Sequence, residues 1–247
     1  MQKLWQDLCF HARWLMKQLM FILIAVLILA LSTGFKQVNT TTIPLDNPSE
    51  MQLCNVKTEQ VTYKGRKALR VADAAPAGVA DGIQLVILNK TEFQDGVIEI
   101  ELTGEPSANA GGGARGFVGV AFRVNLDAAN DAAKYECFYL RPTNGRVDDQ
   151  VRRNHATQYS SHPDFSFARM RKEFPEKYES YVDLEYGAWT RMRIDVAGAT
   201  ARLYVHDAKQ PALVVTDLKL GAGEGGVALW IGSGTEGYFS NLRVTPR

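Results

Sequence analysis

The sequence predicts an all-β sandwich, two antiparallel sheets facing each other across an apolar core. Three observations carry that expectation. From Met51 onward apolar residues recur with period two rather than 3.6. Glycine clusters at 111–113, 198, 221–226 and 232–237 separate many of the alternating segments. No strand–helix–strand rhythm of the kind that builds parallel sheets breaks the series.

The chain opens differently. Lys3, Arg13 and Lys17 precede an uncharged, almost wholly apolar run from Leu19 to Leu31, and 18 uncharged residues separate Lys17 from Lys36. That length is near the minimum for a membrane-spanning helix and exceeds a typical signal-peptide core. Ala30-Leu31-Ser32 offers small residues where a signal peptidase reads, whereas the long amino-terminal region suits a retained anchor over about 19–35. Residues 1–32 are therefore read as a signal peptide or membrane anchor, residues 33–50, rich in Thr, Asn and Pro, as a tether, and residues 51–247 as the sandwich. The basic residues before the apolar run place everything after it outside the cytoplasm in either case, whether periplasmic, cell-surface or secreted.

The strands follow in order. Lys67–Asp73 and Ile83–Leu88 come first. In Gly96–Gly104, Ile98, Ile100 and Leu102 share one face, and Val97, Glu99 and Glu101 take the other. In Gly116–Val124, Val118, Val120, Phe122 and Val124 oppose Phe117, Ala121 and Arg123. Tyr135–Arg141 and His155–Ser161 come next. Arg191–Val196 buries Met192, Ile194 and Val196, and Ala201–His206 buries Ala201, Leu203 and Val205. Leu213–Leu218, Gly226–Ile231 and Tyr238–Val244 complete the set. Eleven or more short strands of this kind suit a jelly roll, with half of each strand in the core and half at the surface.

Composition excludes several classes. With 28 basic and 27 acidic residues the net charge is +1, too little for a protein that grips nucleic acid by its phosphates. Removing residues 1–32 leaves 25 basic against 26 acidic residues. A hydrophobic content of 46% excludes disorder, and three cysteines exclude a disulfide-built miniprotein. Cys54 and Cys137 form either a bridge or two buried thiols. Asn39 and Asn89 head glycosylation sequons. No phosphate loop or dinucleotide fingerprint appears, and no cofactor is expected.

Chemistry is expected in 135–181, where alternation lapses. Residues 141–173 hold seven Arg or Lys, four acids and two histidines, a surplus of +3 once acids are set against bases, interleaved with Tyr159, Phe165 and Phe167. Planar donors beside aromatic faces suit a saccharide, while Arg–Asp pairing in a solvated loop is the plain alternative. His155, Thr157 and Tyr159 at i, i+2, i+4 would line one strand face. His155 is the candidate general base and His162 its helper, with Arg141 and Arg153 as cationic partners. Tyr139, Asn144, Gln158 and Tyr159 are candidates to hold the sugar. No metal-ligand spacing accompanies the histidines, although Asp127, Asn130 and Asp131 could hold a calcium ion. Glu99 and Glu101 could in principle form a glycosidase pair, but an exposed strand face explains them better.

Residues 84–246 resemble the concanavalin A-like lectin/glucanase superfamily, and within it the 3-keto-disaccharide hydrolase family. The resemblance lies in Phe93–Glu101 (FQDGVIEIE), Gly116–Arg123 (GFVGVAFR), Tyr135–Pro142 (YECFYLRP), Ala188–Val196 (AWTRMRIDV), Ala201–Val205 (ARLYV), Gly226–Trp230 (GVALW) and Tyr238–Val244 (YFSNLRV). It implies a concanavalin A-like jelly roll. It also implies elimination chemistry in which a base removes the proton beside a C3 carbonyl, with His155 in that role and Arg141 and Arg153 facing the enolate. A non-catalytic carbohydrate-binding or adhesion module is the alternative.

Overall fold

The computed structural model describes residues 16–20, 39–74, 83–108, 110–127 and 133–247. The chain divides into two units, Met1–Val38 and Asn39–Arg247. Of the first, residues 16–20 are helical and exposed. The rest of the expected export segment lies outside the described residues, and among the described residues no helix is long and apolar enough to cross a membrane.

The second unit is all-β, two antiparallel sheets packed as a sandwich. One sheet runs β13 (Leu213–Val215), β12 (Thr200–Val205), β11 (Thr190–Ala197), β6 (Gly96–Pro106), β15 (Thr235–Pro246), β4 (Arg66–Asp73), β3 (Val56–Tyr63). A short β1 (Thr41–Thr42) pairs with the far half of β15. The other runs β10 (Glu179–Ser180), β9 (Thr157–His162), β8 (Ala133–Leu140), β7 (Val118–Leu126), β14 (Gly225–Ile231), β5 (Leu85–Phe93), β2 (Met51–Cys54). Two short helices, α1 (Gln150–Asn154) and α2 (Phe167–Glu173), flank β9.

The first sheet alternates as expected. Ile98, Ile100 and Leu102 of β6, with Met192, Ile194 and Val196 of β11, are at most 1% exposed and face the other sheet. Burying each such side chain contributes about 1.5–3 kcal/mol. β3 escapes the pattern because it is a polar edge strand, with only Val56 buried. Residues 39–50, expected as tether, lie on the sandwich: Ile43 donates its amide to the Leu242 carbonyl, and Ile43 and Leu45 pack on the core.

The second sheet departs from the half-and-half expectation. In β7, β8 and β14 both faces are apolar, and the outer face carries its own cluster of Leu85, Ala121, Cys137, Tyr139, Ala228 and Trp230. Val124 belongs to that outer cluster, not to the row of Val118, Val120 and Phe122. The cause is a bulge: Arg123 adopts φ 53° and the β7–β8 register shifts between Phe122 and Asn125, reversing the alternation beyond it. Arg123, expected outside, is 2% exposed. Its guanidinium donates to the Gln94, Gly198 and Gly221 carbonyls and to Asp95, tying three turns together.

Cys54 and Cys137 are free thiols. β5, β14 and β7 separate their strands, so they stand about 19 Å apart at the usual strand spacing. That distance rules out the bridge.

Candidate functional site

Backbone pairing aligns one row across the outer face of the second sheet: Glu179, Gln158, Tyr139, Gly119, Trp230 and Leu85. Gly119 makes the row work. A Cβ there would lie 2.2 Å from the Phe138 carbonyl oxygen and 2.6 Å from the Tyr139 Cβ. With only hydrogen in that position, Tyr139 and Trp230 stack over the gap at 4.6 Å between ring centroids and 28°. Phe117 meets Tyr139 edge-on at 6.1 Å. The next row is small and fully buried (Cys137, Ala121, Ala228).

Arg141, 4% exposed, is the hub of the polar wall. Its guanidinium donates to the His155 carbonyl (2.9 Å), Glu179 Oε1 (3.1 Å), Gln158 Oε1 (2.9 Å) and the Tyr139 hydroxyl (3.2 Å). Arg171 clasps the same carboxylate through Nε at 2.9 Å and through a second, shorter contact. One carboxylate thus holds two guanidinium groups, and their planar donors match it geometrically. Asn144 donates to the His155 carbonyl at 3.2 Å. The His155 ring lies 3.6 Å from Glu179, outside hydrogen-bond length. Burial holds His155 below the ordinary histidine value, and Arg171 and Arg141 push the same way against Glu179. Its imidazole is therefore neutral at pH 7. Burial raises the Tyr139 hydroxyl to about 12, so it stays protonated.

These groups bound a cleft of about 310 Å³ lined by Tyr139, Arg141, Asn144 and His155, together with Arg115, Phe117, Arg152, Phe167, Arg171 and Trp230. The size is at the lower end for small-molecule sites. Gln158 lies beneath, fully buried, holding Arg141. A neighbouring groove of about 110 Å³ shares Tyr139, Phe167 and Trp230 and adds His162, which stacks on Tyr135 at 5.0 Å.

Two expected site residues are elsewhere. Tyr159 faces the inter-sheet core at 0% exposure, donating to Glu136 at 2.7 Å and accepting from the Lys219 amide. Gln158 takes the cleft side of β9, so alternation turns Tyr159 inward. His155 is not in the strand but caps α1, which Asp149 starts by accepting from the Arg152 amide. The i, i+2, i+4 row therefore does not form. Arg153 engages Tyr181, donating to its hydroxyl at 2.9 Å, and does not line the cleft.

Glu99 and Glu101 sit on the outer face of the first sheet, paired with Arg243, Arg66 and Arg191. Asn130 and Asp131 lie outside the described residues. Among the described residues no three His, Cys, Asp or Glu gather to hold a metal ion.

Sequence reading missed Trp230, Arg115 and Glu179 as site residues. Alternation in β14 does put Trp230 opposite Val227, Leu229 and Ile231. Arg115 and Glu179 are 64 residues apart in sequence and carry no shared spacing. Arg152 and Arg171 belong to the basic cluster, where spacing does not set them apart from Arg146 or Arg169.

Chemically, the cleft offers an aromatic floor for the C–H face of a ring, planar donors at its wall and one neutral imidazole. Among the described residues its lining holds no Asp or Glu, whereas ordinary glycoside hydrolysis uses a pair of carboxylates. No family model matches the sequence, and no curated protein matches it. Solved structures do. The chain is similar to the carbohydrate-binding module CBM66 from Bacillus subtilis, at 12% identity and TM-score 0.51, over 85% of this chain and 97% of that one. It is similar to a Bacillus subtilis protein of unknown function with a galectin-like fold, at 10% identity and TM-score 0.51, over 84% and 96%. It is also similar to a native glycosidic hydrolase, at 12% identity and TM-score 0.51, over 87% and 98%. At these identities the common property is the fold, and the chain has the two-sheet sandwich of these proteins.

Proposed function

We propose that the protein binds a saccharide in this cleft, as a concanavalin A-like sandwich whose primary task is recognition. The observation that carries the reading is the stacked Tyr139–Trp230 pair floored across Gly119, with Arg141, Asn144 and His155 at its edge. Apolar ring faces with a few convergent polar groups are what a sugar requires. The carbohydrate-binding module and the glycosidic hydrolase among the structural neighbours support it. Titrating the purified protein against an oligosaccharide panel, with calorimetry and Trp fluorescence as readouts, tests it. Saturable binding should vanish in Trp230→Ala and weaken in the milder Trp230→Phe. A panel without a binder, or Trp230→Ala binding as the parent does, refutes the reading.

A second reading follows from one observation, that His155 lines the cleft. In the 3-keto-disaccharide hydrolase chemistry the family resemblance implies, His155 takes the C2 proton and Arg141 faces the enolate oxygen. The enolate then expels the C1 oxygen, and water adds. Turnover of a 3-keto-disaccharide that survives His155→Ala removes that assignment. In both readings the domain acts outside the cytoplasm, carried there by the apolar run 19–31.

A further inference from the structure

The cleft has more cationic groups than its own partners occupy. Among the described residues four guanidinium groups line it, those of Arg115, Arg141, Arg152 and Arg171, and Glu179, behind the lining, is shared by two of them. Among the described residues Arg115 has no carboxylate partner: its Nη1 donates to the Gly112 and Ala114 carbonyls, each at 2.8 Å. Arg152 reaches Asn144 Oδ1 only at 3.4 Å, and its Nε is buried with no acceptor. Elsewhere the protein pairs exposed arginines readily, as Arg146 does with Asp183 and Glu185.

Resting on the saccharide reading, we infer that the cleft selects an acidic saccharide, one whose ring stacks on Tyr139 and Trp230 while a carboxylate or sulfate substituent takes the open donors of Arg115 and Arg152. Both substituents present the same chemistry, a planar or tetrahedral set of anionic oxygens that matches paired guanidinium N–H groups. A surplus of positive charge in a partly dry cleft also draws anions toward it. Neutral sugars leave the guanidinium groups of Arg115 and Arg152 without a counter-charge, so the site discriminates against them.

The test uses matched ligands: gluco-oligosaccharides, the same oligomers oxidised at C6 to glucuronates, and the same oligomers sulfated at C6. Calorimetry on the full chain should give binding to an acidic series at least about tenfold tighter than to the neutral one, the scale of one charge-assisted hydrogen bond. Comparing the two acidic series tells carboxylate from sulfate. Added salt should erode only the acidic preference. Arg115→Gln and Arg152→Gln should each remove most of the preference, read within each variant as the ratio of acidic to neutral affinity. Arg146→Gln, outside the cleft, should change nothing. Equal affinity for neutral and acidic series overturns this inference and leaves the saccharide reading standing. Failure of all three series to bind overturns both. An acidic preference that survives both arginine variants overturns the assignment of Arg115 and Arg152.

Discussion

Replacing Glu179 by Gln keeps the shape of the side chain and removes the charge that holds Arg141 and Arg171 together. The pair is unequal. The Glu179 and Arg141 side chains are 3% and 5% exposed, whereas Arg171 is 41% exposed. Breaking a buried pair from one side costs about 3–5 kcal/mol, because the surviving charge stays desolvated. Arg141 keeps three neutral acceptors, and water replaces the lost partner of Arg171, so the lower end, about 3 kcal/mol, applies. For a domain of this length that lowers the thermal midpoint by about 6–12 °C. Denaturant unfolding should show the same loss at unchanged m-value. Adding Arg141→Met should recover more than half, since removing both charges abolishes the uncompensated guanidinium. If Glu179→Gln stays within about 0.5 kcal/mol of the parent, as a surface change would, the reasoning is refuted.

Four further outcomes follow from the structure. Gly119→Ala drives a methyl into the Phe138 carbonyl and Tyr139, and should cost about 1–3 kcal/mol and separate the Tyr139–Trp230 stack; unaltered Trp fluorescence and oligosaccharide affinity would contradict it. His155 and His162 both lie below the ordinary value of 6.5 through burial, so below pH 6.5 the unfolded chain takes up protons first and stability falls with pH. A denaturation midpoint that rises as pH drops through that window would reverse the sign. A bound sulfate raises the pKa of His155, which is faced by Glu179, Arg171, Arg141 and Glu176, so sulfated-oligosaccharide affinity should increase as pH falls below 6.5. Burial pushes the Cys137 thiol well above its ordinary value, while Cys54 is only half-buried. Alkylation followed by peptide mass spectrometry should therefore label Cys54 in the native protein and Cys137 only after unfolding.

Much of the sandwich was legible because a face packed against one core imposes period two on its strand. β11 and β12 carry that signature in full, and β6 carries it from Gly96 to Leu102. β3 was hidden by its polar edge position, and β10, two residues long, offers no period at all. At the site, Arg141, Tyr139, Asn144 and His155 stood out by composition and do share the cleft. Tyr159 and Arg153 had the same composition and went elsewhere. Residue type does not say where a strand begins, and the start of β9 at Thr157 decides that Gln158, not Tyr159, faces the cleft.

By itself the sequence determined the all-β class, eleven of the strands and the basic, aromatic character of residues 141–173. These are local properties, set by the alternation of side chains along a strand and by the types present in one segment. Tertiary structure alone decided the rest: that Arg123 turns inward at a bulge, that Trp230 stacks on Tyr139 across Gly119, and that Glu179 answers two of four arginines. Those contacts join residues 8 to 111 positions apart. They depend on which strands become neighbours and in what register, and no single segment encodes that.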